Sequence, residues 1–301
     1  MNKIVEIDGN KTYEIKRIGN GEIIVVIELG IGTHFDDWSI ITKELSKKMT
    51  VFTYHRSGYG KSSLEQGKRT TGQIAKELNK LLEKEGINKN IILVGHSFGG
   101  LCVQHFAQLY PEKIIGMLLI DPNTIKQNEM EELPLVKERF SKDKMIEIWN
   151  RLSHKTKEEI EQEVNPKIMD EQMKLSKTAK DNILEFLLQP KMYRTMALEY
   201  EGFDESISEI KSFDNILEIP LRIMVRDREV MISNLIKIGV EREKAIIMED
   251  TWQRIVKEVV DLSTNGKVIE VKNTTHCIYR FNPELIINEV ENLAGSKNIC
   301  N

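Results

Sequence analysis

Cysteine is scarce in this sequence: Cys102, Cys277 and Cys300 are the only three in 301 residues. They form neither a disulfide framework nor a paired zinc motif, so a reduced, cytoplasmic setting is expected. Long apolar runs are also missing. Stretches such as "EIIVVIELGIG" are too short to span a bilayer, so no membrane span is expected. The opening "MNKIVEIDGNKTYEIK" alternates and carries charge, unlike a secretory signal. Neither sign of charge dominates. The 43 basic and 47 acidic residues leave a net charge of −4, mixed along the chain. That pattern offers no basic block for nucleic acid and no acidic tail. No H-E-x-x-H, internal repeat or low-complexity linker occurs. No metal or cofactor is therefore expected, and nothing in the composition specifies an oligomeric state. The 40% hydrophobic content suffices for one large core, or a core with an appended module.

Two glycine-bearing stretches fail as nucleotide motifs. "GYGKSS" (58–63) has the second half of a phosphate-binding loop, but the glycine required five residues before Gly60 is His55. "RIGNGE" (17–22) lacks the spacing of a dinucleotide turn and reads as an ordinary turn.

What the first half does contain is alternation. Apolar runs at 22–29, 50–55, 90–96 and 114–121 read as strands. Amphipathic stretches at 36–48, 71–86 and 98–112 read as helices between them. Strands separated by helices at this spacing predict βαβ units and a mostly parallel sheet. The runs 3–8 and 12–18 predict an antiparallel hairpin at its edge. From 123 to 205 the pattern changes to charged, helix-favouring segments with no convincing strand, which predicts a helical insertion. Strands at 219–225 and 266–271 resume the sheet, with helices at 241–263 and 282–295.

Between the strand at 90–96 and the next helix lies Gly95-His96-Ser97-Phe98-Gly99, followed by Gly100. A Gly-x-Ser-x-Gly at a sharp strand-to-helix turn presents its serine at the tip, and small neighbours let helix and strand approach. The turn also sets Ser97 at a helix N-terminus, where the dipole and the free N–H of Phe98 favour negative charge. A blander reading also stands: the glycines merely permit tight packing.

Four segments together resemble the α/β-hydrolase superfamily over nearly the whole chain outside the insertion. "ELGIGTHFDDW" is similar to the loop after the third strand, and "YHRSGYGKS" to the Arg-x-Gly-x-Gly-x-Ser loop after the fourth. "GHSFGG" matches the nucleophile elbow, and "THCIYRFNPELIINEV" resembles the His-x-Ile-x-x-x-x-Pro-Glu ending. The resemblance implies an α/β-hydrolase fold: a mostly parallel sheet flanked by helices, with residues 1–122 and 206–301 as core and 123–205 as a helical cap.

It also implies His276 as the base for Ser97. His96, His105 and His154 read as packing or surface residues, while His34 and His55 lie in loops near the presumed mouth. The acid stays open among three carboxylates. Asp121 ends a strand in "LLIDPN", where some relatives carry their acid. Glu229 lies nine residues after Pro220 in "PLRIMVRDREV", at the offset of the common Gly-x-x-Asp pattern, with Arg226 in place of the glycine. Asp227 shares that loop. The oxyanion donors implied are the N–H groups of Ile31 and Phe98. Leu29 stands where many relatives have histidine.

The function implied is a serine esterase acting on a small-molecule ester of a small or medium acyl group. Acyl transfer on the same residues is an alternative, as is a hydrolase-like binding protein with little turnover. Phe140, Trp149, Phe186, Met192, Tyr193 and Tyr200 of the insertion are candidates either for an acyl pocket or for packing the cap onto the core.

Overall fold

The structure, a computed structural model, describes residues 2–296. Cys300 lies outside the described residues. Eight strands form one sheet: β1 (Asn2–Ile7), β2 (Lys11–Ile18), β3 (Ile24–Glu28), β4 (Thr50–Tyr54), β5 (Ile91–His96), β6 (Ile114–Ile120), β7 (Leu217–Val225) and β8 (Ser263–Glu270). Their order is β1-β2-β4-β3-β5-β6-β7-β8. β1 pairs antiparallel with β2, and β2 with β4, while every later pairing is parallel.

Both faces of the central strands are covered, so they read as continuous apolar runs, and their side chains still alternate between two cores. Val26, Leu93 and Leu119 face one side, where α2 (Thr71–Lys84), α3 (Phe98–Leu109) and α11 (Arg242–Lys257) pack. Val25, Val94 and Leu118 face the other, against α1 (Ser39–Leu45) and α13 (Pro283–Ser296).

Between β6 and β7 the described chain is helical: α4 (Asn128–Glu131), α5 (Lys142–Leu152), α6 (Lys157–Val164), α7 (Lys177–Leu187), α8 (Pro190–Glu201) and α9 (Phe203–Lys211). α9 runs past residue 205, and its Phe203, Ile207 and Ile210 pack with Ile74 of α2 and Leu101 of α3. Two helices were not anticipated. The segment after β7, read as a loop, forms α10 (Arg228–Lys237) with Asp227 as its N-cap. A short α12 (Ile278–Phe281) precedes α13.

Register decides what meets at the carboxyl edge of the sheet. Glu28 pairs with Gly95, His96 with Ile120, Ile120 with Met224, and Val225 with Glu270. The residues just beyond these positions, including Leu29, Ser97, Asp121 and Arg226, therefore emerge side by side, where open α/β sheets gather their functional groups.

Candidate active site

Ser97 occupies the turn between β5 and α3 with φ 55° and ψ −124°. A non-glycine residue at positive φ costs about 1–3 kcal/mol, so surrounding contacts must impose it. Those contacts are tight. A Cβ on Gly99 would lie 2.3 Å from the Glu28 carbonyl oxygen, and one on Gly95 would lie 2.5 Å from Val103 Cγ2. Ser97 is the N-cap of α3, yet its side chain caps nothing. Its Oγ instead donates to Asn123 Oδ1 over a long 3.4 Å. Among the described residues no hydrogen bond joins Ser97 Oγ to His276.

His276 follows β8 and is one-third exposed. Its Nδ1 lies 2.6 Å from Asp121 Oδ2. Asp121 is fully buried and sits at φ 43° just beyond β6, a conformation that aspartate tolerates better than most residues. Its Oδ1 also accepts from Trp252 Nε1 at 2.9 Å, and Arg226 Nη1 reaches Oδ2 at 3.2 Å. Burial alone would raise this carboxyl's pKa. The Arg226 charge and the His276 and Trp252 hydrogen bonds outweigh it and hold the group below the usual carboxylate range.

The sheet order, the strand-turn-helix around Ser97 and the His276–Asp121 pair now stand beside known proteins. A family model described as the alpha/beta hydrolase fold matches residues 23–147. YqjL, an uncharacterized protein of Bacillus subtilis, is 25% identical over 291 residues, covering 95% of this chain and 89% of that protein. Three other curated relatives are matched over only 34–39% of their own length. A thermophilic esterase from Thermogutta terrifontis superimposes with TM-score 0.66 at 15% identity, covering 97% of both chains. A putative acyltransferase from Salmonella enterica superimposes with TM-score 0.72 at 15% identity, covering 98% of this chain and 95% of that one. The protein has the α/β-hydrolase fold. The superfamily resemblance read from the four motifs holds at that level.

Within this α/β-hydrolase fold, Asp121 is the one of the three open carboxylates that meets His276. Asp227 is occupied elsewhere. Its Oδ1 accepts from the N–H groups of Glu229 and Val230, at 2.9 and 3.4 Å, and its Oδ2 from Asn273 N–H at 2.8 Å. Glu229 lies in the first turn of α10, exposed, and pairs with Arg228 at 2.5 Å. The unanticipated α10 explains both. Once the chain turns helical at Arg228, Asp227 becomes its cap and Glu229 points to solvent.

Sequence reasoning missed the scaffold behind Asp121. Arg226 is buried and forks onto Glu249 of α11 through Nε and Nη2, the shortest contact being 2.6 Å. Gln253 donates to both Glu249 Oε1 and the Arg226 carbonyl at 2.9 Å, and the Arg226 guanidinium lies 4.4 Å from the Trp252 ring centre. The signal was present: Glu249, Trp252 and Gln253 stand at i, i+3 and i+4, so polar groups share the inner face of an amphipathic helix.

On the other side of Ser97 runs the loop after β3. A Cβ on Gly30 would lie 3.4 Å from Ser97 Cβ and 2.8 Å from His96 Nδ1. Ile31 follows directly, and its side chain packs against the cluster that contains Phe98. Among the described residues neither the Ile31 nor the Phe98 N–H has a protein acceptor. His96 is buried beneath them and donates its Nε2 proton to the His276 carbonyl at 3.0 Å. Burial, and then the neighbouring His276, lower its pKa to about 3, so the ring is neutral.

Two cavities border this centre, through Asn123 on one side and Gly32 on the other, and neither is lined by Ser97, Asp121 or His276. One of about 340 Å³ is bounded by Asn123, Gln127, Glu131, Tyr200 and Phe203. The other, about 410 Å³, is bounded by Gly32, His34, Phe186, Leu187 and Arg280. Trp149, Phe186, Met192 and Tyr193 are buried in one cluster with Tyr59, and Tyr200 packs against it. Phe140 packs instead against the cores beside α11. His55 stacks on Phe35 and Phe186, His34 lies tilted against the first and edge-on to the second, and His55 Nδ1 meets Glu14 at 3.0 Å. His105 pairs with Thr71 at 2.9 Å, and His154 bonds to the Asn150 carbonyl on the surface. Among the described residues no group of three or more His, Cys, Asp or Glu has metal-holding geometry, and no helix is long and apolar enough to cross a membrane.

Proposed function

We propose that this protein is a serine hydrolase of carboxylesterase type, acting on small-molecule esters with a small or medium acyl group. The observation that carries this reading is the 2.6 Å contact between His276 Nδ1 and a buried, anionic Asp121, on the same sheet edge as a strained serine. A carboxylate on Nδ1 fixes the tautomer that leaves Nε2 free to accept the serine proton.

In this scheme Ser97 Oγ attacks the ester carbonyl carbon while its proton passes to His276 Nε2. The carbonyl electrons move onto oxygen, and the N–H groups of Ile31 and Phe98 hold that charge. The intermediate collapses, the C–O bond breaks, and His276 protonates the departing alcohol. Water then attacks the acyl-enzyme, gives a proton to His276, and releases the acid and Ser97. The 3.4 Å contact of Ser97 with Asn123 is weak enough to exchange for one to His276 when substrate binds. The helices from 123 to 205 act as the cap, and the two bordering cavities are of the size that takes a small ligand. Cys102 and Cys277 are free thiols, in keeping with a cytoplasmic location.

Acyl transfer is the second reading, favoured by the likeness to the putative acyltransferase from Salmonella enterica. It uses the same acyl-enzyme with another acceptor in place of water. The test is labelling with a fluorophosphonate probe. Strong labelling of the wild type that vanishes in Ser97→Ala is expected. A folded wild type that stays unlabelled would sink the enzyme reading in favour of a binding protein. Product analysis with added alcohols then separates transfer from hydrolysis.

A further inference from the structure

We infer that Glu199, on α8 of the helical segment, is a positioning residue for the Leu29–Gly32 loop, acting through Arg56 and Tyr59. The inference rests on the proposed role of Ile31 as an oxyanion donor.

An oxyanion donor works only if its N–H is already aimed, because the gain comes from not having to reorganise during the reaction. The Ile31 N–H belongs to a loop, so something outside the loop has to fix the peptides around it. Two groups do so from either side. Arg56 Nη1 donates to the Leu29 carbonyl at 2.6 Å. Tyr59 Oη accepts from the Gly32 N–H at 3.4 Å.

One carboxylate holds both groups. Glu199 Oε1 takes Arg56 Nε at 2.6 Å, and its Oε2 takes Arg56 Nη2 at 3.0 Å and the Tyr59 hydroxyl at 2.7 Å. A two-point fork fixes the guanidinium plane as well as its distance. Glu28 Oε1 accepts from the same Nη1 at 2.7 Å and is itself held by Tyr54. Glu199 is 1% exposed and Arg56 3%. A buried ion pair adds little net stability compared with an apolar substitute, so geometry is what this one supplies. α8 also touches the loop directly: a Cβ on Gly32 would lie 3.1 Å from Met196 Sδ. The helix that carries Glu199 is thereby tied to the backbone on both sides of Ile31.

The test compares wild type, Glu199→Gln and Tyr59→Phe. The readouts are hydrolysis of p-nitrophenyl butyrate, inhibition by an alkyl trifluoromethyl ketone, which forms an oxyanion on the serine, and thermal unfolding. Glu199→Gln should lower kcat by about 10- to 100-fold and weaken the ketone by a similar factor. KM should move by less than about threefold, since the bound ester carries no charge yet. Tyr59→Phe leaves the Arg56 fork in place and should show a smaller loss in the same two readouts. It also covers the case in which Glu199→Gln fails to fold. Two results would overturn the inference: both variants retaining wild-type kcat and ketone affinity, or kcat falling only in step with the folded fraction. If the wild type neither turns over the ester nor binds the ketone, the serine hydrolase reading itself fails. Unaffected variants of an active wild type remove only the positioning role.

Discussion

Arg226 Nη1 lies 3.2 Å from Asp121 Oδ2, the same oxygen that meets His276 Nδ1 at 2.6 Å. One buried oxygen thus faces a permanent cation and an imidazole together. Arg226 is the residue that stands where the common pattern has a glycine, so the departure from that pattern and the carboxylate that meets His276 are one feature. The guanidinium stabilises a carboxylate that burial would otherwise neutralise.

If Asp121 orients His276, Asp121→Asn should lower kcat/KM by about 10⁴-fold, because an amide selects the wrong tautomer. Glu229→Gln should stay within about twofold, since its partner is the surface residue Arg228. Steady-state kinetics of both variants checks this, and the reverse ranking would rule out Asp121.

Removing Arg226 strands two buried carboxylates, Asp121 and Glu249. Arg226→Met should cost about 3–5 kcal/mol of stability, the range for breaking one side of a buried pair. Arg226→Met/Glu249→Met should recover part of that loss. Urea unfolding of the single and double variants measures it, and simple additivity would contradict the coupling.

The elbow tolerates no side chain at Gly99, where a Cβ would meet the Glu28 and Leu29 carbonyl oxygens at 2.3 and 2.5 Å. Backbone on the far side cannot rotate away as a flexible side chain would. Gly99→Ala should therefore cost at least about 1–3 kcal/mol and reduce fluorophosphonate labelling. Unchanged unfolding and labelling would show that the loop after β3 yields.

Acid should weaken the fold in two stages. Burial, with His276 nearby, holds His96 at about 3, and burial holds His105 at about 4, from an ordinary 6.5. The unfolded chain takes up these protons below pH 6.5 while the native state refuses them, so stability is complete above that pH and falls from there toward pH 3. Glu14 is also buried, but its His55 hydrogen bond wins and lowers it to about 2 from 4.5. Its contribution, like that of the depressed Asp121, is fully present above the ordinary carboxylate range and is lost as pH falls from there through the lowered native value. Urea unfolding between pH 7.5 and 4.5 should show the decline beginning near pH 6.5. A flat profile down to pH 4.5 would contradict the histidine assignment.

Sequence alone determined the alternation of β3 to β6 with their helices, and the turn at Ser97. Both follow from local physics: apolar runs too short for buried helices, and glycines where a Cβ has no room. It also put His276 on a loop after the last strand. Tertiary structure alone decided which carboxylate meets that histidine, because the choice depends on register between β6, β7 and β8 and on a helix starting at Arg228. The same holds for the Arg226–Glu249 and Arg56–Glu199 forks, whose partners lie 23 and 143 residues apart. The spacing of Glu249, Trp252 and Gln253 marks a polar inner helix face, but no local pattern encodes which distant residue it pairs with. Such pairs exist because packing buries charges that must then find each other.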